Sequence, residues 1–290
     1  MKRNLLLTAV TPILFGTTYA VTVLALPPGR PLFTAALRAL PAGALLLLAT
    51  REMPKGKWWG RLAVLGALNI AVVFALVFVA AYRMPGGIAA VIGGIQPLLV
   101  ALLAAGVLGE RLRERSLLAA VAGLAGVALL VLRGATGLDP IGIAAAAGAT
   151  TSGAIGIILV RRWKRPMRML PFVGWQLVFG GAMLAILAAF FEGAPPALSA
   201  RNVVALVYLV VCSTLLAYVL WFRGVERLGP TPVSLLALLN PVTAAILGAL
   251  LLGERYTAAQ VLGAALVIAA LLFGTAGQRP VYVKPAQCTR

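Results

Sequence analysis

The 290-residue chain has no histidine, two cysteines and seven acidic residues, and charged residues of all kinds make up only 11% of it. Each scarcity excludes something. Histidine is the commonest metal ligand and the usual proton-transfer group near neutral pH, and it is missing. Cys212, inside an apolar run, and Cys288, near the C-terminus, cannot form a framework of bridges. A typical soluble domain is about 25% charged, so this chain cannot cover itself with a solvated surface. What it has instead is apolar residues, 62% by the AVILMFWYC count. A soluble enzyme, a disulfide scaffold and a disordered tail are thereby excluded. An integral membrane protein remains, since a spanning helix takes about 20 mostly apolar residues.

Ten apolar spans are legible, at 5–26, 32–50, 62–82, 87–108, 116–132, 141–160, 170–190, 203–222, 232–252 and 257–274. Proline, glycine and charge clusters separate them, as at Pro27-Pro28-Gly29, Met84-Pro85-Gly86-Gly87 and Gly253-Glu254-Arg255. The runs lack the alternation of a membrane β-barrel strand, so the expected class is all-α.

The basic residues orient the chain. With the N-terminus inside, the cytoplasmic segments hold 19 of the 25 lysines and arginines. The outer segments hold Arg30, Arg83, Arg133, Arg201 and Arg255, and Arg38 alone falls inside a span. This is the positive-inside pattern. It accounts for the net charge of +18 by membrane orientation and contact with anionic lipid, with no nucleic-acid partner. The expected location is a bilayer, multi-pass, with both termini cytoplasmic.

An internal repeat is present. Pro97–Arg111 reads PLLVALLAAGVLGER and Pro241–Arg255 reads PVTAAILGALLLGER, with Gln96 and Asn240 just before them. Upstream, Arg38 stands against Gln176 and Gly43 against Gly181. Spans 1–5 thus match spans 6–10. Five is odd, so the second copy enters the membrane from the opposite side, which is a transporter architecture. The expected units are residues 1–135 and 136–277, with 278–290 a cytoplasmic tail. After Glu110 the next matched glycine comes four residues later than after Glu254, at Gly123 against Gly263, which predicts an altered start of span 5.

With the two Pro-x12-Glu helices, Arg38 in span 2, the glycine-rich first turn of span 4 and the Gly229-Pro230 entry to span 9, the chain resembles the drug/metabolite transporter superfamily in its EamA-like ten-helix form. The resemblance covers nearly the whole chain. It implies an inner-membrane exporter of amino acids, including hydrophobic and aromatic ones, or of other metabolites, with ten helices around a central cavity. A multidrug or nucleotide-related transporter of the same superfamily is the alternative. A non-transporting membrane scaffold explains the repeat less well.

The site must be built from few groups. None of the seven acids, Glu52, Glu110, Glu114, Asp139, Glu192, Glu226 and Glu254, lies in a span. No nucleophile–base pair, metal cluster or phosphate loop can be drawn, so neither enzyme chemistry nor a cofactor is expected. The usual proton relays are missing too, which points to transport down the substrate's own gradient or by exchange. Arg38 is the one charge at membrane depth, at a cost of about 2.5–3.5 kcal/mol on insertion scales. Its expected partner is a carbonyl, water or an anionic substrate group. Thr8, Thr11, Thr18 and Thr22 share a face of span 1, with Tyr19 beside them. Spans 1, 3, 4, 6, 8 and 9 carry the polar and small residues and are expected to line the cavity. The almost wholly apolar spans 5 and 10 are expected to face lipid or a second copy of the chain. Substrate contacts are expected from Arg38, Tyr82, Gln96, Asn240, Tyr218, Thr18 and Tyr19. Pro97 and Pro241, each of which frees the carbonyl four residues back, are with Gly94 the expected kinks.

Overall fold

A computed structural model describes residues 2–109, 114–132, 139–163, 165, 167–228, 236 and 239–275. Ten helical segments of at least fourteen residues account for most of them. They are α1 (Lys2–Ala25), α2 (Pro31–Thr50), α3 (Trp58–Arg83), α4 (Gly86–Leu108) and α5 (Glu114–Leu132). The second set is α6 (Pro140–Trp163), α7 (Met169–Phe191), α8 (residues 200–228), α9 (Leu239–Leu252) and α10 (Ala258–Thr275). Among the described residues, seven spans are long and apolar enough to cross a membrane on their own, one of them Ala200–Trp221 within α8. Leu6, Leu48, Phe190, Phe191, Val204 and Leu250 are each at least 70% exposed. A soluble surface does not present such residues on every side; lipid does.

Most boundaries lie within four residues of the expected ones. The end of α8 does not. It was expected at 222, yet the helix runs to Leu228. Arg223, Glu226 and Arg227 read as a loop, but a helix leaving the bilayer carries charge freely, and arginine and glutamate are good helix formers. Span 9 was expected to start at 232, and its first turns lie outside the described residues. The start expected to be altered adjoins residues 110–113, which lie outside the described residues; α5 is described from Glu114. At the 144-position offset that relates Pro97 to Pro241, the residue matched to Gly263 is the fully buried Ala119.

Local signals set the ends. Pro31 occupies the first turn of α2, where its missing N–H is harmless. Ser199 and Asn202 cap α8 reciprocally, and Thr257 and Gln260 do the same at α10. α4 and α9 both stop at a glycine with φ +67°, Gly109 and Gly253, a conformation that side chains resist.

Packing repeats with an inverted two-fold. α1 packs against α8 and α9, and its counterpart α6 packs against α3 and α4. α2 crosses α7, and α5 crosses α10. The α2–α7 crossing is reciprocal to the residue. A Cβ on Gly43 would lie 2.9 Å from Val178, and one on Gly181 would lie 2.8 Å from Leu40. The fold is ten transmembrane helices in two inverted five-helix repeats. Without water to drive association, helices in lipid are held by such close approach and by interhelical hydrogen bonds.

Candidate functional site

α3 and α8 each contain one widened turn, with i→i+5 pairing, at Ala67–Val72 and Val211–Leu216. The two segments are 144 positions apart and share no residue type at any matched position. A widened turn loosens the backbone ladder and lets outside donors reach its carbonyls. In α3, Ser152 Oγ of α6 donates to the Leu68 carbonyl at 2.7 Å. In α8, Arg38 Nη2 of α2 donates to the Ser213 carbonyl at 3.1 Å.

Arg38 is 5% exposed. Its Nε donates to Thr214 Oγ1 at 2.9 Å, and Nη2 also reaches Ser213 Oγ at 3.3 Å. Phe74 of α3 lies under the guanidinium, 4.7 Å from carbon to ring centroid, a favourable cation–π placement. Tyr218, Tyr19 and Tyr208 lie within electrostatic range. Ser213 Oγ donates to the Leu14 carbonyl at 3.1 Å, which spends its one proton, so Thr18 Oγ1 must be the donor in their 2.9 Å bond. Tyr208 pairs with Thr17 at 2.7 Å, and the Tyr218 ring meets Phe15 edge-on at 5.9 Å. Among the described residues, no carboxylate pairs with Arg38 and its Nη1 makes no hydrogen bond.

Of the expected site residues, Arg38, Thr18, Tyr19 and Tyr218 therefore come together. Gln96 and Asn240 occupy matched places elsewhere. The Gln96 amide lies against Gly153 of α6, where a Cβ would collide with it. Asn240 lies against Gly16 of α1, where a Cβ would come within 2.7 Å of its backbone carbonyl. The Asn240 side-chain oxygen is buried without a hydrogen-bond partner among the described residues. α4 is broken near its middle: Gly94 ends its outer half, Ile95 carries φ −77° and ψ −6°, and Gln96 and Pro97 open its inner half. Pro241 is buried in α9, and Ala237, whose carbonyl it was expected to free, lies outside the described residues. Tyr82 stands apart. Its hydroxyl donates to the Pro27 carbonyl at 2.8 Å and ties the outer end of α3 to the α1–α2 turn.

The threonine stripe also has a different role from the expected one. Thr11 donates to the Ala217 carbonyl of α8 and Thr18 to Ser213, while Thr8 and Thr22 bond back to α1's own carbonyls. The stripe is the α1–α8 seam and not an open wall. Sequence reasoning missed Ser213 and Tyr208. A Ser-Thr pair one helical turn before Tyr218 was the available signal, but a widened turn has no sequence signature.

The outer end is drawn together by carboxylates at helix starts, where backbone N–H groups lack partners. Glu192, after α7, accepts from Leu32 N at 2.7 Å and Phe33 N at 2.9 Å in α2. Glu254, after α9, accepts from Gly86 N of α4 at 3.1 Å and from the Tyr256 hydroxyl. Burial, before the adjacent carboxylate, pushes the Tyr256 phenol above its ordinary value, so it stays a donor. The outer half of α4 packs against α9, whereas its inner half packs mainly against α6 and α5.

The cytoplasmic end carries a cluster of aromatic side chains, as membrane interfaces commonly do. Arg61 sits between the rings of Trp58 and Trp163, at 5.1 and 5.3 Å, and Trp59 meets Trp175 at 4.9 Å.

The comparisons agree with this architecture. The model of the EamA-like transporter family matches twice, over residues 2–132 and 140–275. Protein PecM of Dickeya dadantii is 43% identical, over 90% of this chain and 88% of its own length. The uncharacterized inner membrane transporter YedA of Escherichia coli is 28% identical, over 95% and 90%. A solved structure titled only as a crystal structure of a protein superposes with a TM-score of 0.66 at 23% identity, covering 95% of this chain and 97% of its own, and shares the fold. On its repeated halves and these matches, the chain belongs to the EamA-like transporter family, whose members are transporters and not enzymes.

Proposed function

We propose that the chain is a secondary exporter of small metabolites in a bacterial inner membrane, with amino acids, hydrophobic and aromatic ones included, as its substrates. The observation that carries this is the pair of inverted halves meeting at α4 and α9, each with a proline after an amide at matched depth. Such halves can exchange conformations, which opens the route to each side in turn. The Glu254–Gly86 tie and the packing of α4's outer half on α9 support an outer-closed state. The naming of the YedA relative supports the inner membrane, and the basic residues support cytoplasmic termini. The substrate contacts in this reading are Arg38, Thr18, Tyr19, Tyr82, Gln96, Tyr218 and Asn240, with Gly94, Pro97 and Pro241 as hinges. The apolar outer faces of α5 and α10, including Leu118, Val121, Leu124, Val261 and Leu262, meet lipid or a second copy of the chain.

The test is transport by purified protein in liposomes loaded with a mixture of amino acids, read by mass spectrometry of the efflux. Loss of hydrophobic and aromatic members above protein-free liposomes is expected. It should persist without an imposed pH difference, because no acid or histidine lies in a span. No efflux of any member sinks the substrate class.

A further inference from the structure

The inverted repeat supplies an internal control for Arg38. Its counterpart in α7 is Gln176, and the counterpart of Ser213 in α8 is Asn69 in α3. The contacts match as well. Arg38 bonds to the widened turn of α8, and Gln176 Oε1 accepts from Asn69 Nδ2 of the widened turn of α3 at 2.8 Å. Thr18 of α1 meets Ser213, and Gly156 of α6 packs directly against the Asn69 amide. One joint, a side chain of the second helix seated on a widened turn, is thus built twice.

In one copy two neutral amides satisfy each other. Gln176 Nε2 also donates to the Phe172 carbonyl at 3.1 Å, so the joint closes with no charge. In the other copy the seat holds a guanidinium. The fold shows that the joint needs no cation, and a buried cation without a counter-ion is costly. Its Nε and Nη2 are spent on the turn, and that fixes the orientation of the planar group. Nη1 is left without a partner among the described residues, and Tyr19, Tyr208 and Tyr218 lie within electrostatic range of the guanidinium.

We propose that Arg38 is the charge-selecting residue of the transport site: its Nη1 edge binds a carboxylate of the substrate, and the surrounding tyrosine and phenylalanine rings accept an apolar or aromatic body. This rests on the transport reading above. Two-thirds of the guanidinium is already immobilised, so little rotamer freedom is lost on binding. An anionic substrate supplies the missing counter-charge, so the site discriminates by charge before shape. Asn240, whose Oδ1 is an acceptor without a partner among the described residues, borders α1 through its backbone carbonyl at Gly16, within the Leu14–Thr18 stretch that holds Ser213. It suits an ammonium, but the anchor is the carboxylate.

The experiment replaces Arg38 by the residue that the other repeat uses. Wild type, R38Q and R38K are reconstituted, and uptake of labelled L-phenylalanine is competed with 3-phenylpropionate, which lacks the ammonium, and with L-phenylalaninamide, which lacks the carboxylate. Wild-type uptake should be inhibited by phenylpropionate and not by the amide. R38Q should unfold within a few degrees of wild type, yet lose phenylalanine uptake by on the order of 30-fold or more, and R38K should recover part of it. Uptake by R38Q at the wild-type rate overturns the proposal. So does equal competition by amide and acid, an arm that needs no variant to fold. If wild type moves no phenylalanine, the amino-acid reading falls by itself. The charge proposal is then read from thermal unfolding with 3-phenylpropionate and its neutral amide 3-phenylpropanamide. Stabilisation by the acid alone, absent in R38Q, supports it; equal or no stabilisation defeats it.

Discussion

Asn69 donates to Gln176 at 2.8 Å, and this bond holds the first repeat to the second at the widened turn of α3. It is the neutral twin of the Arg38–Ser213 bond. Gln176 is buried and Asn69 half-buried, and Gly156 leaves room for Asn69 only because it has no side chain. Replacing Gln176 by Leu strands the Asn69 amide away from water. Hydrogen bonds in membrane interiors average below about 1 kcal/mol, but an unsatisfied partner adds about 1–3 kcal/mol. Thermal unfolding in detergent should show Q176L destabilised by about 1–2 kcal/mol. A wild-type melting curve would mean that the bond is incidental.

Close approach at the α2–α7 crossing makes a second, sharper expectation. Gly43→Leu and Gly181→Leu each push a side chain into the facing backbone, and overpacking of this kind costs about 1–3 kcal/mol or more. Folded yield should fall for both, to a similar degree, since the contacts are reciprocal. Gly60, in the first turn of α3, has open space around its Cβ position. Gly60→Ala should leave yield unchanged or stabilise by about 0.4–1 kcal/mol.

Glu254 should control the outer closure. In a background without Cys212 and Cys288, a cysteine is placed at Ala90, which is 2% exposed on the outer half of α4. Its reaction with an impermeant thiol reagent added outside is then followed. Glu254→Ala removes the acceptor for Gly86 N and for the Tyr256 hydroxyl, and the labelling rate should rise severalfold. An unchanged rate would assign closure to packing of α4 on α9 alone.

Orientation is checked in the same way at single cysteines replacing Arg165 and Arg201. The second should react from outside and the first only after permeabilisation. Reaction of the Arg165 position in intact cells would invert the topology.

Acid should loosen the Arg83–Asp139 contact at the outer end. Arg83 Nη1 donates to Asp139 at 2.6 Å, and this bond, followed by the Ile141 N–H, holds the Asp139 carboxyl below its ordinary 3.8. A depressed acid adds stability above its unfolded value and loses it as pH falls through the lower folded value. The melting difference between wild type and Asp139→Asn should therefore be constant near neutrality, begin to shrink near pH 3.8 and vanish only below the lower folded value. The pair is exposed, so the difference will be small. A gap that widens in acid would contradict the sign.

The membrane class, the ten helices and their inward-positive orientation follow from composition and charge placement, because bilayer thickness and the cost of unpaired polar groups act on every residue of a span alike. The inversion follows too, from Pro97–Arg111 against Pro241–Arg255 and an odd number of spans. Arg38 stood out for the same reason: one charge at depth needs a partner. What paired with it did not. Ser213 and Thr214 reach it because α8 widens by a turn, and that widening is a backbone compromise among α1, α2 and α8 with no residue type of its own. The threonines of α1 show the limit most plainly. Helical spacing placed them on one face, but whether that face met a cavity or α8 depended on which helix the fold set beside it, and only tertiary packing decides that.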